Sequence, residues 1–373
     1  NHKRNPQTAQ RKTMKLYFDA TILQQPATGI AKATLGLYEA CASLMPSLEI
    51  AALHRQQLEC PLSNRIQSIQ FGADLPEVLW RQISLPMYSL NHPPKHIHFP
   101  WNGYIPHFFS DTTIISTIHD VLPLIIPGYF KSKIGEKNYR KRIQRDINRS
   151  DIIITDSNYS RKQIMENFET NNPPIVIYPA TNLSKSNVIL EPEKDYGEYF
   201  LYVGGYNPRK GLDILLRTFI KLNQNKELSS KLILTGQKNY FSIEFKKLVE
   251  KGKNLGFVQE LGYVSDNQLA GLYSNAKALV YPSRYEGFGL PPLEAMTLGC
   301  PVITTKCTSI PEICGDAACY VELEDDIDLA NKLIAMENSD ENVNKLKKLG
   351  KERAAKFSWT ESAKIFLDSI FKD

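Results

Sequence analysis

Two doubly wound α/β domains facing each other across a cleft are the architecture this sequence predicts, on three observations. Short β-branched apolar runs alternate with longer amphipathic stretches in both halves of the chain. One polar stretch without periodicity separates the halves, and 373 residues suffice for two domains of ordinary size, each with its own core.

In the first half the apolar runs fall at 15–18, 96–99, 113–118, 151–155 and 175–178; in the second they fall at 200–203, 231–234, 278–281 and 301–304. Strands of this length separated by helix-length segments form parallel sheets covered by helices on both faces. Segment 181–198 is polar, holds Pro192 and Gly197, and reads as a linker. The first domain is thus expected at 14–180 and the second at 199–357. In open α/β sheets ligands bind beyond the carboxyl ends of the strands, so the chemistry is sought in the loops there.

Composition narrows the function. Apolar residues make up 42% and charged residues 23%, values that exclude a disordered or fibrous chain. The net charge of +5 would suit a nucleic-acid partner, but Lys3, Arg4, Arg11 and Lys12 lie in a polar segment, 1–13, that reads as a disordered leader or an appended extension. Without it the balance is 41 basic to 40 acidic residues, and no nucleic-acid partner is expected. The most apolar stretch, 113–130, is interrupted by His119, Asp120 and two prolines, too polar for a membrane span. Cys41, Cys60, Cys300, Cys307, Cys314 and Cys319 are scattered without metal-binding spacing and read as reduced thiols of a cytoplasmic protein.

Two loops carry most of the chemistry. After the run at 278–281 comes Ser283-Arg-Tyr-Glu-Gly-Phe-Gly-Leu-Pro-Pro-Leu-Glu-Ala-Met-Thr-Leu-Gly299. Gly287 and Gly289 permit a sharp turn with open backbone amides, and Pro291 and Pro292 suit the first turn of a helix. Glu286 then lies on the loop and Glu294 on the helix, two carboxylates aimed at different hydroxyls of one ligand. A plain helix-dipole carboxylate at Glu294, contributing under about 1 kcal/mol, is the alternative. The other loop, Tyr202-Val-Gly-Gly-Tyr-Asn-Pro-Arg-Lys-Gly211, sets Arg209 and Lys210 at a helix start, where fixed positive charge can meet a departing anion or simply face solvent.

The first of these segments resembles the Glu, seven residues, Glu signature of the retaining nucleotide-sugar glycosyltransferases of family 4, which have the GT-B architecture of two Rossmann-like domains. The resemblance spans 15–373 and is strongest at 202–318. It implies that Glu286 approaches the donor sugar, that the amides of Gly287, Phe288, Gly289 and Leu290 hold sugar hydroxyls and phosphate, and that Glu294 accepts from the ribose. Lys210 matches the lysine that contacts the diphosphate, beside Gly204 and Gly205. Family members often have arginine where this chain has Gly205, so Arg209 is the expected substitute. Thr117-Ile-His-Asp-Val121 is similar to a family segment whose histidine touches the donor sugar, a role His119 inherits, with Asp120 structural. Gly29, in Gln25-Pro-Ala-Thr-Gly-Ile-Ala-Lys32, matches a glycine near the diphosphate; Ala31 and Lys32 depart from the family's glycine and arginine, and a capping turn is the alternative. Val264 falls where backbone pairs with the nucleobase, and Ser265 or Asp266 reads as an ordinary helix cap. In this architecture the last helix, 358–373, crosses back onto the first domain.

The resemblance implies a metal-independent transfer without cofactor, from a nucleotide-diphosphate sugar to a saccharide or a polyprenyl-diphosphate-linked saccharide, in cell-surface polysaccharide synthesis. Bacterial mannosyltransferases are the nearest in look, so GDP-mannose is the first expected donor and a UDP-hexose the second. A sugar-nucleotide epimerase of the same architecture and an inactive sugar-nucleotide-binding protein are the rival readings. Asp326 and Asp328 form an Asp-x-Asp in an acidic run, read as a helix start and not as metal ligands. The stretch 131–149 carries eight Lys and Arg against Glu136 and Asp146, with a stripe of Tyr139, Ile143 and Ile147. It reads as a solvated face over a packed stripe, or as a peripheral contact with an anionic membrane.

Overall fold

A computed structural model describes residues 14–25, 28–102, 105–106, 111–183, 196–238 and 240–371. The leader expected at 1–13 and most of the linker expected at 181–198 lie outside the described residues.

The first sheet has seven strands: β1 (Met14–Asp19), β2 (Leu48–His54), β3 (Ile66–Gln70), β4 (His96–Phe99), β5 (Thr113–Thr117), β6 (Ile152–Thr155) and β7 (Ile175–Val176), in the order β3-β2-β1-β4-β5-β6-β7. The second has six: β8 (Tyr199–Val203), β9 (Lys231–Thr235), β10 (Val258–Gly262), β11 (Leu279–Tyr281), β12 (Val302–Thr305) and β13 (Cys319–Val321), in the order β10-β9-β8-β11-β12-β13. Every pairing is parallel. The strand order reverses between β1 and β4 and between β8 and β11, and such a switch point opens a crevice at the carboxyl ends.

Four strands depart from the sequence expectation. β3, β10 and β13 close the sheet edges, where fewer neighbours demand apolar side chains, so Ile66–Gln70 and Val258–Gly262 are too polar to show as apolar runs. β2 contains Ala51 and Ala52, which carry no strand preference of their own.

Helices cover both faces of each sheet. On one face of the first, Leu16, Phe18, Ile115 and Ile154 pack beneath helices Gly29–Leu44 and Trp359–Phe371. The last helix therefore belongs to the first domain's core, where Phe366 lies against Tyr38 and His98. Gly36 makes this packing possible: a Cβ there would lie 2.3 Å from the Trp359 ring. Among the described residues no helix is long and apolar enough to cross a membrane, and all six cysteines are free thiols.

Gly36→Ala is expected to destabilise the protein by about 1–3 kcal/mol through overpacking. Calorimetry should show a lower melting temperature, and limited proteolysis should cut first near Trp359.

Candidate functional site

The site begins with a glycine. Gly211 has φ of 67°, and a Cβ on it would stand 1.9 Å from the carbonyl oxygen of Pro282. Only a residue without a side chain lets the β8 loop lie against the end of β11. That approach brings Lys210 to Glu286: its Nζ donates to Glu286 Oε1 at 2.7 Å and also to the Tyr281 hydroxyl. The same Oε1 accepts from Tyr281 at 2.8 Å and from Ser283 Oγ at 2.6 Å, with Arg209 Nη1 at 3.3 Å. Burial alone would raise the Glu286 pKa, but the charges of Lys210 and Arg209 and these hydrogen bonds hold it at about 2.

The turn that carries Glu286 is pinned by side chains the sequence did not single out. The Glu286 amide donates to Thr308 Oγ1 at 3.1 Å, while Ser309 Oγ donates to the carbonyls of Glu286 and Phe288 at 2.9 and 2.8 Å. Gly289, at φ 110°, leads into helix Leu290–Leu298, with Pro291 and Pro292 in its first turn. Phe288 buries its ring beside Tyr178 and Phe357, so it offers a ligand only its backbone. Glu294, also buried, accepts from the Tyr273 hydroxyl at 3.0 Å, and burial raises its pKa.

The first domain meets this turn directly. A Cβ on Gly287 would be 3.0 Å from Asp120 Oδ2 and 3.3 Å from the His119 carbonyl. Ser157 and Ser160 both donate to the Gly287 carbonyl, at 2.6 and 3.2 Å. His119 Nδ1 lies 2.6 Å from Asp156 Oδ2 and Nε2 lies 2.8 Å from the Pro100 carbonyl. Both partners are acceptors, so both ring nitrogens must carry protons. Burial lowers the His119 pKa, but the Asp156 carboxylate and the Pro100 carbonyl overcome it and raise the pKa above its ordinary value. Asp120 accepts from the Leu122 amide at 3.1 Å and starts the short turn that follows.

Two further contacts tie the domains together. Glu312 accepts from the amides of Asn158 and Tyr159, at 2.7 and 3.1 Å, and from the Tyr178 hydroxyl at 2.7 Å, thereby capping helix Asn158–Asn167 from the opposite domain. Lys32 Nζ binds Asp266 Oδ1 at 2.6 Å. This differs from the capping role expected of Asp266, because Ser265 and Gln268 already form the capping box of helix Asp266–Asn275.

Two cavities flank the junction. The larger, of 1460 Å³, is lined from both domains, by His119, Asp120, Tyr139 and Arg142 on one side and Arg209, Tyr285 and Thr308 on the other. The smaller, of 410 Å³, is lined by Lys32, Asn182, Tyr263, Asp266, Leu290 and Glu294. Glu286 and Lys210 line neither cavity, but Arg209, 3.3 Å from Glu286, lines the larger. Gly29 begins helix Gly29–Leu44, capped by Thr28, and a Cβ on it would lie 3.3 Å from Leu290, so two helix starts abut across the gap. Gly204, at φ 148°, and Gly205, whose carbonyl accepts from Tyr202 at 3.2 Å, shape the β8 loop but line neither cavity. Val264 packs half-buried on the second-domain core, beside Tyr263. Asp156 was missed, although it directly follows a predicted strand; Thr308, Ser309 and Glu312 were not named singly, but they lie within 202–318, where the resemblance is strongest. Among the described residues no three His, Cys, Asp or Glu gather as a metal site, and Asp325 caps the helix that holds Asp326 and Asp328.

Two parallel Rossmann-like domains closing on a carboxylate-lysine pair have the GT-B fold. Residues 186–353 match the family of glycosyl transferases group 1. The chain is 29% identical over 374 residues to O-antigen chain mannosyltransferase B of Escherichia coli, covering 93% of this chain and 96% of that protein. It is 33% identical over 211 residues to the O-antigen chain mannosyltransferase RfbU of Salmonella typhimurium, covering 56% and 57% of the two chains. Among solved structures it is similar to sucrose-phosphate synthase from Thermosynechococcus elongatus, with TM-score 0.75, 19% identity and coverage of 95% and 97%. It is also similar to WaaG, a glycosyltransferase involved in lipopolysaccharide biosynthesis, with TM-score 0.69, 18% identity and coverage of 96% and 100%.

Because the folded pKa of Glu286 is depressed, its contribution to stability is complete above its ordinary 4.5 and is lost as pH falls toward 2. Urea denaturation of the wild type and of Glu286→Gln between those limits is expected to show a steeper acid loss in the wild type.

Proposed function

We propose that this chain transfers mannose from GDP-mannose, with retention of anomeric configuration and without a metal, to a saccharide carried on polyprenyl diphosphate at the cytoplasmic side of a membrane. The observation that carries the reading is the convergence of Glu286, Lys210 and Arg209 with the His119-Asp120 segment at one junction between two cavities. The relative that aligns with nearly the whole chain is named a mannosyltransferase, which supports the donor sugar.

In this mechanism the nucleoside occupies the smaller cavity, with Glu294 accepting from the ribose and the backbone near Val264 meeting the base. The sugar lies toward the larger cavity. Glu286 Oε1 is committed to the protein, and Oε2 accepts from a sugar hydroxyl. The bond from the anomeric carbon to the diphosphate oxygen breaks while Arg209, Lys210, the amides of Gly287 to Leu290 and the helix starts at Gly29 and Leu290 stabilise the charge that develops on the leaving group. The acceptor hydroxyl forms its new bond on the same face and passes its proton to the departing phosphate oxygen. His119 fits this proton route: with both nitrogens protonated and committed to Asp156 and the Pro100 carbonyl, it cannot act as a base.

Removal of the diphosphate contact in Lys210→Ala is expected to lower kcat by roughly 10²–10³. Glu286→Gln should retain nucleotide binding in calorimetry and lose transfer, which separates catalysis from binding. NMR of the product must show the anomer of the donor; an inverted linkage would end the retaining reading.

A further inference from the structure

The first domain leaves a row of large apolar side chains uncovered. Residues Glu77–Leu79, Trp80–Ser84 and Leu85–Asn91 run as one helical stretch whose Trp80, Arg81 and Leu85 are buried. On its other side Leu79, Ile83, Met87 and Leu90 recur every three or four residues and are 44%, 47%, 61% and 74% exposed. Single exposed leucines are ordinary, but a contiguous row on one helix marks an interaction face.

The basic helix Lys133–Arg149 covers the same side of the sheet. Ile114 packs with Trp80 and Leu85, while Ile118, four residues further along, packs with Ile143 and Ile147. Residues an even number apart on a strand point to one side. Ile105 joins the two elements: its side chain lies in the Trp80 cluster, its amide donates to Asp146 at 3.3 Å and its carbonyl accepts from Arg149 at 2.8 Å. Lys131, Lys133, Lys137 and Lys141 are exposed, as is Ile134 at 72%. The nearest acid on the apolar stretch, Glu77, is paired with Arg81 at 2.8 Å.

We infer that this side of the first domain docks on a bilayer bearing anionic lipid, with Leu79, Ile83, Met87 and Leu90 entering the acyl boundary and the lysines meeting headgroup phosphates. An apolar helical row beside a cationic helix is complementary to an anionic leaflet, whose charge lies above its hydrocarbon. Arg142 of the basic helix, with Tyr129 and Phe130 before it, lines the larger cavity, so docking sets the mouth of the cleft at the lipid surface. In that respect the inference rests on the lipid-carried acceptor proposed above.

The test is flotation of the full chain with vesicles of about three parts phosphatidylethanolamine to one of phosphatidylglycerol, against vesicles of phosphatidylcholine. Binding to the anionic vesicles, weakened by high salt, is expected. The variants Ile83→Ser/Met87→Ser/Leu90→Ser and Lys133→Glu/Lys137→Glu/Lys141→Glu should each lose roughly tenfold or more, with melting temperature and transfer to a soluble saccharide unchanged. The single Met87→Ser, at a solvent-exposed position, should weaken binding measurably without affecting folding. Equal binding to both vesicle types, wild-type flotation of the variants, or a dimer in light scattering that the apolar variant abolishes would overturn it. Transfer to a soluble acceptor without vesicles tests the catalytic reading separately.

Discussion

The site depends on one charged pair held out of water. A carboxylate as buried as Glu286 is tolerable only with its charge compensated and its oxygens hydrogen-bonded, and Lys210, Tyr281 and Ser283 meet both conditions on a single oxygen. Because Lys210 comes from the β8 loop and Glu286 from the turn after β11, the pair also fixes the spacing of those loops. Gly211 is the enabling residue, since any side chain there would hold the loops apart. The switch point of the second sheet thus becomes a pinned wall of the junction and not merely a crevice.

The opposite wall is set by hydrogen bonds that cross the gap. Gly287 is pressed against the Asp120 side chain and the His119 carbonyl, and its own carbonyl is taken by two serines of the first domain. The residue that shapes the Glu286 turn therefore also forms an interdomain contact. His119 is oriented from behind by Asp156 and Pro100, so its protonation is decided by its supports before any ligand arrives.

Much of this was legible in the sequence. Interior strands such as β5, β8 and β11 are buried on both faces and show as apolar runs, and the loops after them carry the glycines, prolines and charged residues that mark a ligand site. Edge strands β3 and β10 were not legible, because half-exposed strands mix polar side chains into their pattern. The roles of Asp156 and Glu312 were not legible for a different reason. Each looks like an ordinary acidic residue in its own neighbourhood, and its partner lies 37 or 154 positions away, a relation that local spacing does not encode. The double protonation of His119 is likewise a property of tertiary neighbours.

The cap that Glu312 places on helix Asn158–Asn167 bears on how the halves come apart. A helix start normally keeps its own cap when a protein flexes, and here Ser157 supplies one such bond to the Ser160 amide. The Asn158 and Tyr159 amides, by contrast, are satisfied from across the gap. Separation therefore strands two amide donors and a carboxylate at once, all of which water must re-solvate. Any parting of the halves must therefore uncap this helix, which ties the start of Asn158–Asn167 to the closed arrangement.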